Sequence, residues 1–174
     1  MTARKVRRVG VGDVRISARA RQYVNEVLDS GRLSYGPKQQ EFERRFAEIH
    51  GRRFACFVNS GTDALRIGLL AMKEKYGWPG YGRVVLPAVT FVASFNAILQ
   101  AGLVPYLVDV ETEHFGMREF SVVNMPIVAA MPVNLFGHVP PQTIHVPAIT
   151  DSCETMFMPG CADGEVSCFS TYTA

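Results

Sequence analysis

The sequence lacks the features that would place the protein in a membrane or in an export pathway. No apolar run approaches the roughly 20 residues that a helix needs to cross a bilayer. The first residues, Met1 to Lys5, lead into no apolar segment of the kind that signal peptides contain. We therefore expect a cytoplasmic protein that makes no contact with a membrane.

Paired cysteine motifs are also absent. The four cysteines are Cys56, Cys153, Cys161 and Cys168, and no two of them have the CxxC spacing of common metal sites. Cys56 and Cys168 lie in strand-like runs, which favours buried, reduced thiols over metal ligands. We expect no metal site.

A strong excess of one charge is missing, since the formal net charge is only +2. Arg and Lys are concentrated between Arg4 and Arg53, but acidic residues such as Glu26, Glu41 and Glu48 are interspersed with them on predicted helical faces. This mixture is typical of a solvated surface, whereas nucleic-acid-binding proteins usually present a basic stripe. We expect no nucleic-acid partner, while an anionic ligand or a partner subunit for this segment remains open.

The chain does contain enough apolar sequence for one sizeable core, because 48% of its 174 residues are hydrophobic and 20% are charged. Residues 1–53 are predicted to form a helical lead-in segment. One amphipathic helix follows the capping residue Ser17 and ends at Gly31, and a second runs from near Pro37 to Gly51. The apolar residues expected to face inward are Tyr23, Val24, Val27, Leu28, Phe42, Phe46 and Ile49.

From residue 54 onward, short apolar runs alternate with helix-like segments that begin at Thr62 and Phe91. The predicted strands are Phe54 to Val58, Arg83 to Leu86, Val104 to Val108, Ile127 to Val133, His145 to Thr150 and Val166 to Ser170. Residues from Glu111 to Val123 are predicted to be irregular, with room for a short helix. The alternation predicts βαβ crossovers, and therefore an α/β fold with a mainly parallel sheet and helices on both faces.

The octapeptide from Val58 to Leu65 predicts a strand that turns sharply into a helix, with Leu69 and Met72 on the same inner face as Leu65. Such a turn leaves several backbone N–H groups unpaired at the positive end of the helix dipole, which suits a phosphate group. A second interpretation is that Ser60 only caps the helix. The octapeptide alone leaves both open.

Several polar or aromatic residues follow predicted strands. Because the carboxyl ends of parallel strands meet at one edge of a sheet, we expect these residues to form one site. They are Ser60, Thr62, Thr90, Phe91, Asn134, Asp151, Glu154 and Ser170. Each residue alone also has a structural interpretation. Asp151 could cap a helix, and Phe91 could be an ordinary core residue.

Five sequence blocks occur in an order and spacing that resemble one protein family. They are "VNSGTDAL", "VVLPAVTFVASFNAILQAGLVPYLVDVE", "PVNLFG", "DSCE" and "CFSTY", preceded by "GRLSYGP" and "FERRFAEIHG". Over nearly its whole length the chain resembles the DegT/DnrJ-type sugar aminotransferases, pyridoxal 5′-phosphate proteins of the aspartate-aminotransferase-like fold. The resemblance implies that residues 54–174 are part of a large cofactor-binding domain, whose remainder and small C-terminal domain are absent.

The same resemblance implies roles for individual residues. Gly61, Thr62 and Ser170 would hold the cofactor phosphate, and Phe91 would stack on the pyridine ring. Asp151 would face the ring nitrogen, where a carboxylate favours the protonated form.

Glu154 matches a family position that reaches the ring hydroxyl, although a capping box would also explain a glutamate three residues after Asp151. The family's catalytic lysine, which forms a Schiff base with the cofactor, follows the block that ends here at Ala174. The lysines of the chain, at positions 5, 38, 73 and 75, match no motif position. We therefore expect an amino-terminal fragment without catalytic residues of its own, unstable or dependent on a partner when isolated.

The resemblance leaves open which reaction the full-length protein would catalyse. A lysine after Ala174 implies transfer of an amino group from an amino acid, typically glutamate, to a nucleotide-linked keto sugar. A histidine implies a sugar dehydratase, and a non-catalytic binding protein is the third possibility. Members of the family are commonly homodimers, so we expect a homodimer here.

Overall fold

The computed structural model describes residues 15–120, 125–141 and 143–172. These residues form four helices and five strands, which we number in chain order. The helices are α1 (Ala18–Asp29), α2 (Pro37–Ile49), α3 (Gly61–Tyr76) and α4 (Val92–Gln100). The strands are β1 (Arg83–Pro87), β2 (Val104–Val108), β3 (Ile127–Ala130), β4 (Ile149–Asp151) and β5 (Val166–Cys168).

All strand pairs in the described residues are parallel, which confirms the predicted α/β fold with a parallel sheet. β1 lies between β2 and β3, and β4 pairs with β5. Two parallel bridges, Ala130 with Ala148 and Val133 with Asp151, place β4 beside β3. The spatial order is therefore β2-β1-β3-β4-β5, and the carboxyl ends of the strands lie along one edge.

Helix α3 forms the main core with α4 and the sheet. Leu65, Leu69 and Met72 are buried, as the helical spacing of these residues predicts. Ser60 caps the helix, because its hydroxyl accepts a hydrogen bond from the amide of Asp63 at 3.1 Å. The helix ends at Gly77, whose φ of 64° is favourable for glycine.

The opposite face of the sheet carries a second, smaller cluster. Val85 and Ala130 are buried there against Met117, with partly buried Ile144 and Val146 around them. Val84 and Leu86 point the other way, into the main core. This alternation is what a pleated strand requires when both of its faces are covered.

The predicted buried strand from Phe54 to Val58 is wrong. This segment belongs to no β-ladder, and Phe54 is 77% exposed. Cys56 is exposed too, contrary to the expectation of a buried thiol. Among the described residues no strand lies alongside the segment, and without a neighbour an extended chain has neither ladder partners nor a covering surface. The amide of Phe57 instead donates to Glu43 Oε1 at 2.9 Å.

The predicted starts of α1 and α2 are confirmed, but most of their predicted inward faces are exposed. Val24 and Leu28 of α1 are exposed, and the helix has no buried residue. In α2, Phe42 and Ile49 are exposed and only Ala47 is buried. The hydrophobic periodicity identified these two helices correctly, but it carries no information about which surface covers them.

Three strands are shorter than predicted. β3 ends at Ala130, two residues before Pro132, and β4 begins at Ile149, two residues after Pro147. β5 ends at Cys168 rather than Ser170. In the predicted excursion, residues 112–114 form a turn and residues 111–120 contain no helix, while residues 121–124 lie outside the described part. No helix among the described residues has the length and apolar character needed to cross a bilayer.

Candidate functional site

Asp151 lies at the carboxyl end of β4 with its carboxylate buried. The side chain is 4% exposed and accepts two hydrogen bonds from neutral donors. The Ser94 hydroxyl in α4 donates to Oδ2 at 2.7 Å, and the Cys153 amide donates to Oδ1 at 3.1 Å. The bridge from Val133 to Asp151 and the pairing with β5 fix the backbone on both sides. The acid is therefore held by three elements of the fold.

No cationic partner for Asp151 lies within ion-pair distance in the described ranges. Buried carboxylates in proteins are usually paired with a cation or coordinated to a metal, because removing an unpaired charge from water is costly. A cationic group on a ligand would meet this requirement. The arrangement therefore fits a ligand that brings a positive charge to Asp151.

Gly61, the first residue of α3, lies against the residues that follow β4 and β5. A Cβ atom at Gly61 would be 2.7 Å from Cys153 Sγ and 3.1 Å from Ser170 Cβ. Both separations are below ordinary contact distance, so only glycine lets the helix start approach this closely. The amino end of α3, Cys153 and Ser170 therefore meet at one point.

The amino end of α3 also supplies free hydrogen-bond donors. The amides of Asp63 and Ala64 donate to Ser60 Oγ and to the Ser60 carbonyl oxygen. The amides of Gly61 and Thr62 precede these and have no acceptor within the part of the chain that the structure describes. Unpaired amides at a helix start bind anions well. This end of the site therefore fits an anionic group, opposite in charge to the group that fits Asp151.

The thiols beside Asp151 are uncharged at neutral pH. Burial raises the pKa of Cys153 well above its usual range, and the carboxylate of Asp151 raises it further. Burial and the same carboxylate also raise the pKa of the Cys168 thiol. Neither thiol therefore adds a negative charge to that of Asp151.

Asn134 belongs to a buried polar network behind the site. Its Nδ2 donates to Ser152 Oγ at 2.9 Å, and its carbonyl oxygen accepts from Thr155 Oγ1 at 2.9 Å. The Ser152 hydroxyl donates in turn to the carbonyl oxygen of Cys161 at 2.6 Å. These contacts fix the chain just after Asp151. Sequence reasoning listed Asn134 but missed Ser152 and Thr155, since hydroxyl residues occur in every kind of loop.

Of the other predicted site residues, Phe91 and Glu154 lie at the rim, whereas Ser170 is half-buried beside Gly61. Phe91 is the N-cap residue of α4 and is 62% exposed, so it is not the ordinary core phenylalanine that the sequence left open. Glu154 is exposed, and its Oε2 accepts from the amide of Phe136 at 3.2 Å. Ser170 Oγ accepts from the Tyr172 amide at 3.1 Å. The contacts thus bring Gly61, Ser170 and Asp151 together, with Cys153 between them.

The lysines in the described residues are engaged away from this site. Lys38 pairs with Glu26 of α1 at 2.5 Å. Lys73 donates to the carbonyl oxygen of Ala101 at 3.0 Å, and Lys75 pairs with Glu165. Lys5 lies outside the described residues. None of the described lysines therefore provides an amine next to Asp151.

Comparison with known proteins gives a consistent set of similarities. The profile of the DegT/DnrJ/EryC1/StrS aminotransferase family matches residues 14–168. GDP-perosamine synthase of Escherichia coli O157:H7 is 35% identical over 127 residues, which are 71% of this chain and 34% of that enzyme. The 3-oxo-glucose-6-phosphate:glutamate aminotransferase of Bacillus subtilis (strain 168) is 32% identical over 66% of this chain and 26% of its own length. The chain thus spans about a third or less of the length of these relatives.

Solved structures share the fold. The PLP-form of the Streptococcus pneumoniae protein Spr1654, a sugar aminotransferase by its description, superposes with a TM-score of 0.81 at 22% identity. That match covers 94% of this chain and 49% of Spr1654. DesV of S. venezuelae superposes with a TM-score of 0.69 at 29% identity, over 79% of this chain and 39% of DesV.

Proposed function

Since this chain belongs to the DegT/DnrJ/EryC1/StrS aminotransferase family, we propose that it is the amino-terminal, cofactor-binding part of a pyridoxal-phosphate-dependent sugar aminotransferase. The complete enzyme would transfer an amino group from an amino-acid donor, typically glutamate, to a nucleotide-linked keto sugar. The names of the relatives, a GDP-perosamine synthase and a glutamate aminotransferase of a sugar phosphate, support this substrate class. The chain's share of its relatives' length supports a larger parent protein.

One observation carries the cofactor assignment. Asp151 is a buried carboxylate without a cationic partner in the described residues, and the free amides of Gly61 and Thr62 begin the nearby helix α3. Pyridoxal phosphate carries a ring nitrogen that becomes cationic when protonated and a phosphate that is anionic. The protonated ring nitrogen would supply the positive charge that Asp151 needs, and the phosphate would supply the anion for the free amides of α3.

Three residues would hold the phosphate. The amides of Gly61 and Thr62 would donate to its oxygens, and the helix dipole of α3 would favour its negative charge. The hydroxyl of Ser170, next to Gly61, would add a further donor. The absence of a side chain at Gly61 lets Ser170 approach the helix start, which brings its hydroxyl close to the free amides.

The ring would lie between the rim residues and Asp151. Phe91 presents an exposed aromatic face for stacking, and Glu154 would reach the ring hydroxyl. When bound, pyridoxal phosphate supplies an electron sink for the substrate's reacting carbon. Asp151 would strengthen that sink by keeping a proton on the ring nitrogen, because an ionised carboxylate stabilises a neighbouring cation.

The amine that reacts with the cofactor would come from sequence beyond the described residues. Residues 1–53 would form a helical lead-in, and residues 54–174 part of the large domain. A lysine following Ala174 would fit amino transfer, whereas a histidine there would fit a dehydratase. We propose the aminotransferase, because the two relatives named above are a GDP-perosamine synthase and an aminotransferase. The family resemblance also leads us to propose a cytoplasmic homodimer.

Binding of pyridoxamine 5′-phosphate to the 174-residue chain tests the cofactor site without requiring a lysine. We expect saturable binding by the wild-type chain and an affinity at least about tenfold lower for Asp151→Asn, since the substitution leaves the ring cation without its anion. Asp109→Asn is the matched control, because Asp109 also follows a strand but is exposed and pairs with Arg118. Equal affinity of Asp151→Asn and wild type would contradict the assignment.

A further inference from the structure

Two hydroxyl groups connect Asp151 to the first turn of α4. Thr90 Oγ1 and Ser94 Oγ are 2.8 Å apart, and Ser94 Oγ is 2.7 Å from Asp151 Oδ2. Ser94 is fully buried, with 0% of its surface exposed. A polar side chain in such a position must satisfy its hydrogen bonds inside the protein. We call Thr90 and Ser94 the hydroxyl pair.

Counting protons fixes the direction of these hydrogen bonds. An ionised carboxylate only accepts, so the single proton of Ser94 goes to Asp151. The oxygen of Ser94 is then free to accept the proton of Thr90 at 2.8 Å, while the Phe91 carbonyl oxygen is a second and longer acceptor for that proton at 3.4 Å. The pair therefore forms a directed chain that ends on the carboxylate, and each bond of such a chain polarises the next.

The hydroxyl pair also links the acid to the rim of the site. Phe91 lies between the two hydroxyl residues in sequence, and its carbonyl oxygen accepts from the amide of Ser94 at 3.1 Å. One turn of backbone thus carries both the exposed ring of Phe91 and the buried donor to Asp151. The position of Phe91 relative to Asp151 is set by this turn.

We propose that Ser94, assisted by Thr90, is a positioning residue that holds the Asp151 carboxyl group oriented toward the cofactor's ring nitrogen. The inference rests on the proposed function of Asp151. Donation from Ser94 to Oδ2 and from the Cys153 amide to Oδ1 stabilises the anion and leaves one lone pair on each oxygen for a ligand. When the cofactor is bound, these donors would favour a proton on its ring nitrogen, because hydrogen bonds to a carboxylate oppose transfer of the proton to that carboxylate.

The test measures both the affinity and the protonation state of bound pyridoxamine 5′-phosphate. Ser94→Ala removes the donor, and the affinity should fall roughly tenfold, as is typical for loss of a hydrogen bond to a charged group. With cofactor labelled at the ring nitrogen, the ¹⁵N chemical shift should move toward the unprotonated value, because Asp151 competes better for the proton. Thr90→Val should change both quantities in the same direction but by less.

Thr155→Val is the matched control, because Thr155 is equally buried but donates to the carbonyl oxygen of Asn134 rather than to Asp151. It should leave the ¹⁵N shift of the bound ring unchanged, even if it weakens binding. Urea unfolding of each variant separates loss of the fold from loss of the site.

The outcomes distinguish this inference from the proposed function. An unchanged ¹⁵N shift in both Ser94→Ala and Thr90→Val, together with weaker binding by Asp151→Asn, would overturn only the role of the hydroxyl pair. Equal binding by Asp151→Asn and by the wild-type chain would overturn the cofactor site and the inference with it. A shift in both hydroxyl variants but not in Thr155→Val supports the inference.

Discussion

Gly61 is the residue whose replacement should damage the site most locally. In Gly61→Ala, the new methyl group would collide with Cys153 Sγ and Ser170 Cβ, and overpacking of this kind costs about 1–3 kcal/mol. Urea denaturation should show that loss. Gly80→Ala is the control, since its Cβ would meet only the Gly102 carbonyl oxygen at an ordinary 3.6 Å. Equal stability of the two variants would contradict the tight packing of Gly61 against Cys153 and Ser170.

His50 should make the stability of the fold depend on pH. Its ring stacks on Phe157 and Phe169, and its Nε2 is buried without a partner in the described residues. Burial lowers the pKa of His50, and the nearby Arg52 cation lowers it further. Cys161, whose Sγ lies 3.7 Å from Nδ1, is the other titratable group at the ring.

The sign of the effect follows from the lowered pKa. The folded state binds fewer protons than the unfolded state, where histidine has a pKa of about 6.5. The stabilising contribution of neutral His50 is therefore complete above that pH and is lost as pH falls below it. His50→Phe keeps an aromatic ring but cannot titrate. Urea unfolding should show a smaller decrease toward acid pH in this variant than in wild type, and identical pH profiles would contradict the assignment.

At the scale of residues, the sequence placed Asp151 at the end of a strand but left a helix cap as its alternative, and only the family resemblance gave Gly61 a role. The cofactor roles of both residues stay predictions. Ser94 was not predictable, because a serine in an apolar helix becomes meaningful only when β4 brings Asp151 to it, 57 residues away in sequence.

Among the elements, α3 is the one on which the core depends most. Leu69 is fully buried between the helix and the sheet, whereas its neighbour Leu70 is 38% exposed. Leu69→Ala should lower the free energy of unfolding by about 2–5 kcal/mol, and Leu70→Ala by much less, because only the first leaves a cavity. Chemical denaturation of both variants checks this. Similar losses would mean that α3 does not pack in the described orientation.

The elements that could be predicted are those whose apolar sequence pattern is matched by a neighbouring element that covers it. The start of α3 was located within one residue and both bounds of β2 were located correctly, since apolar residues of each are covered by neighbours within the described residues. The segment from Phe54 to Val58 has an equally apolar pattern but no covering surface. An apolar run predicts burial only when another element supplies the partner, and that depends on distant parts of the chain.

For the molecule as a whole, the main feature is apolar surface that remains exposed. Val24, Leu28, Ile49, Phe54 and Phe57 are all exposed, and all lie before α3. Exposed apolar groups of this size usually mark contacts with another chain or domain. We expect the isolated chain to self-associate at micromolar concentration. Analytical ultracentrifugation measures this directly, and a monomer with a cooperative unfolding transition would contradict it.

The central claim is that this chain is the cofactor-binding part of a larger sugar aminotransferase whose reactive lysine follows Ala174. The most direct test is to sequence the source gene beyond the codon for Ala174. We expect a lysine codon next, in a frame that stays open for roughly 200 further residues, about the size of another domain. A histidine codon would indicate a dehydratase instead, and an immediate stop codon would contradict the claim.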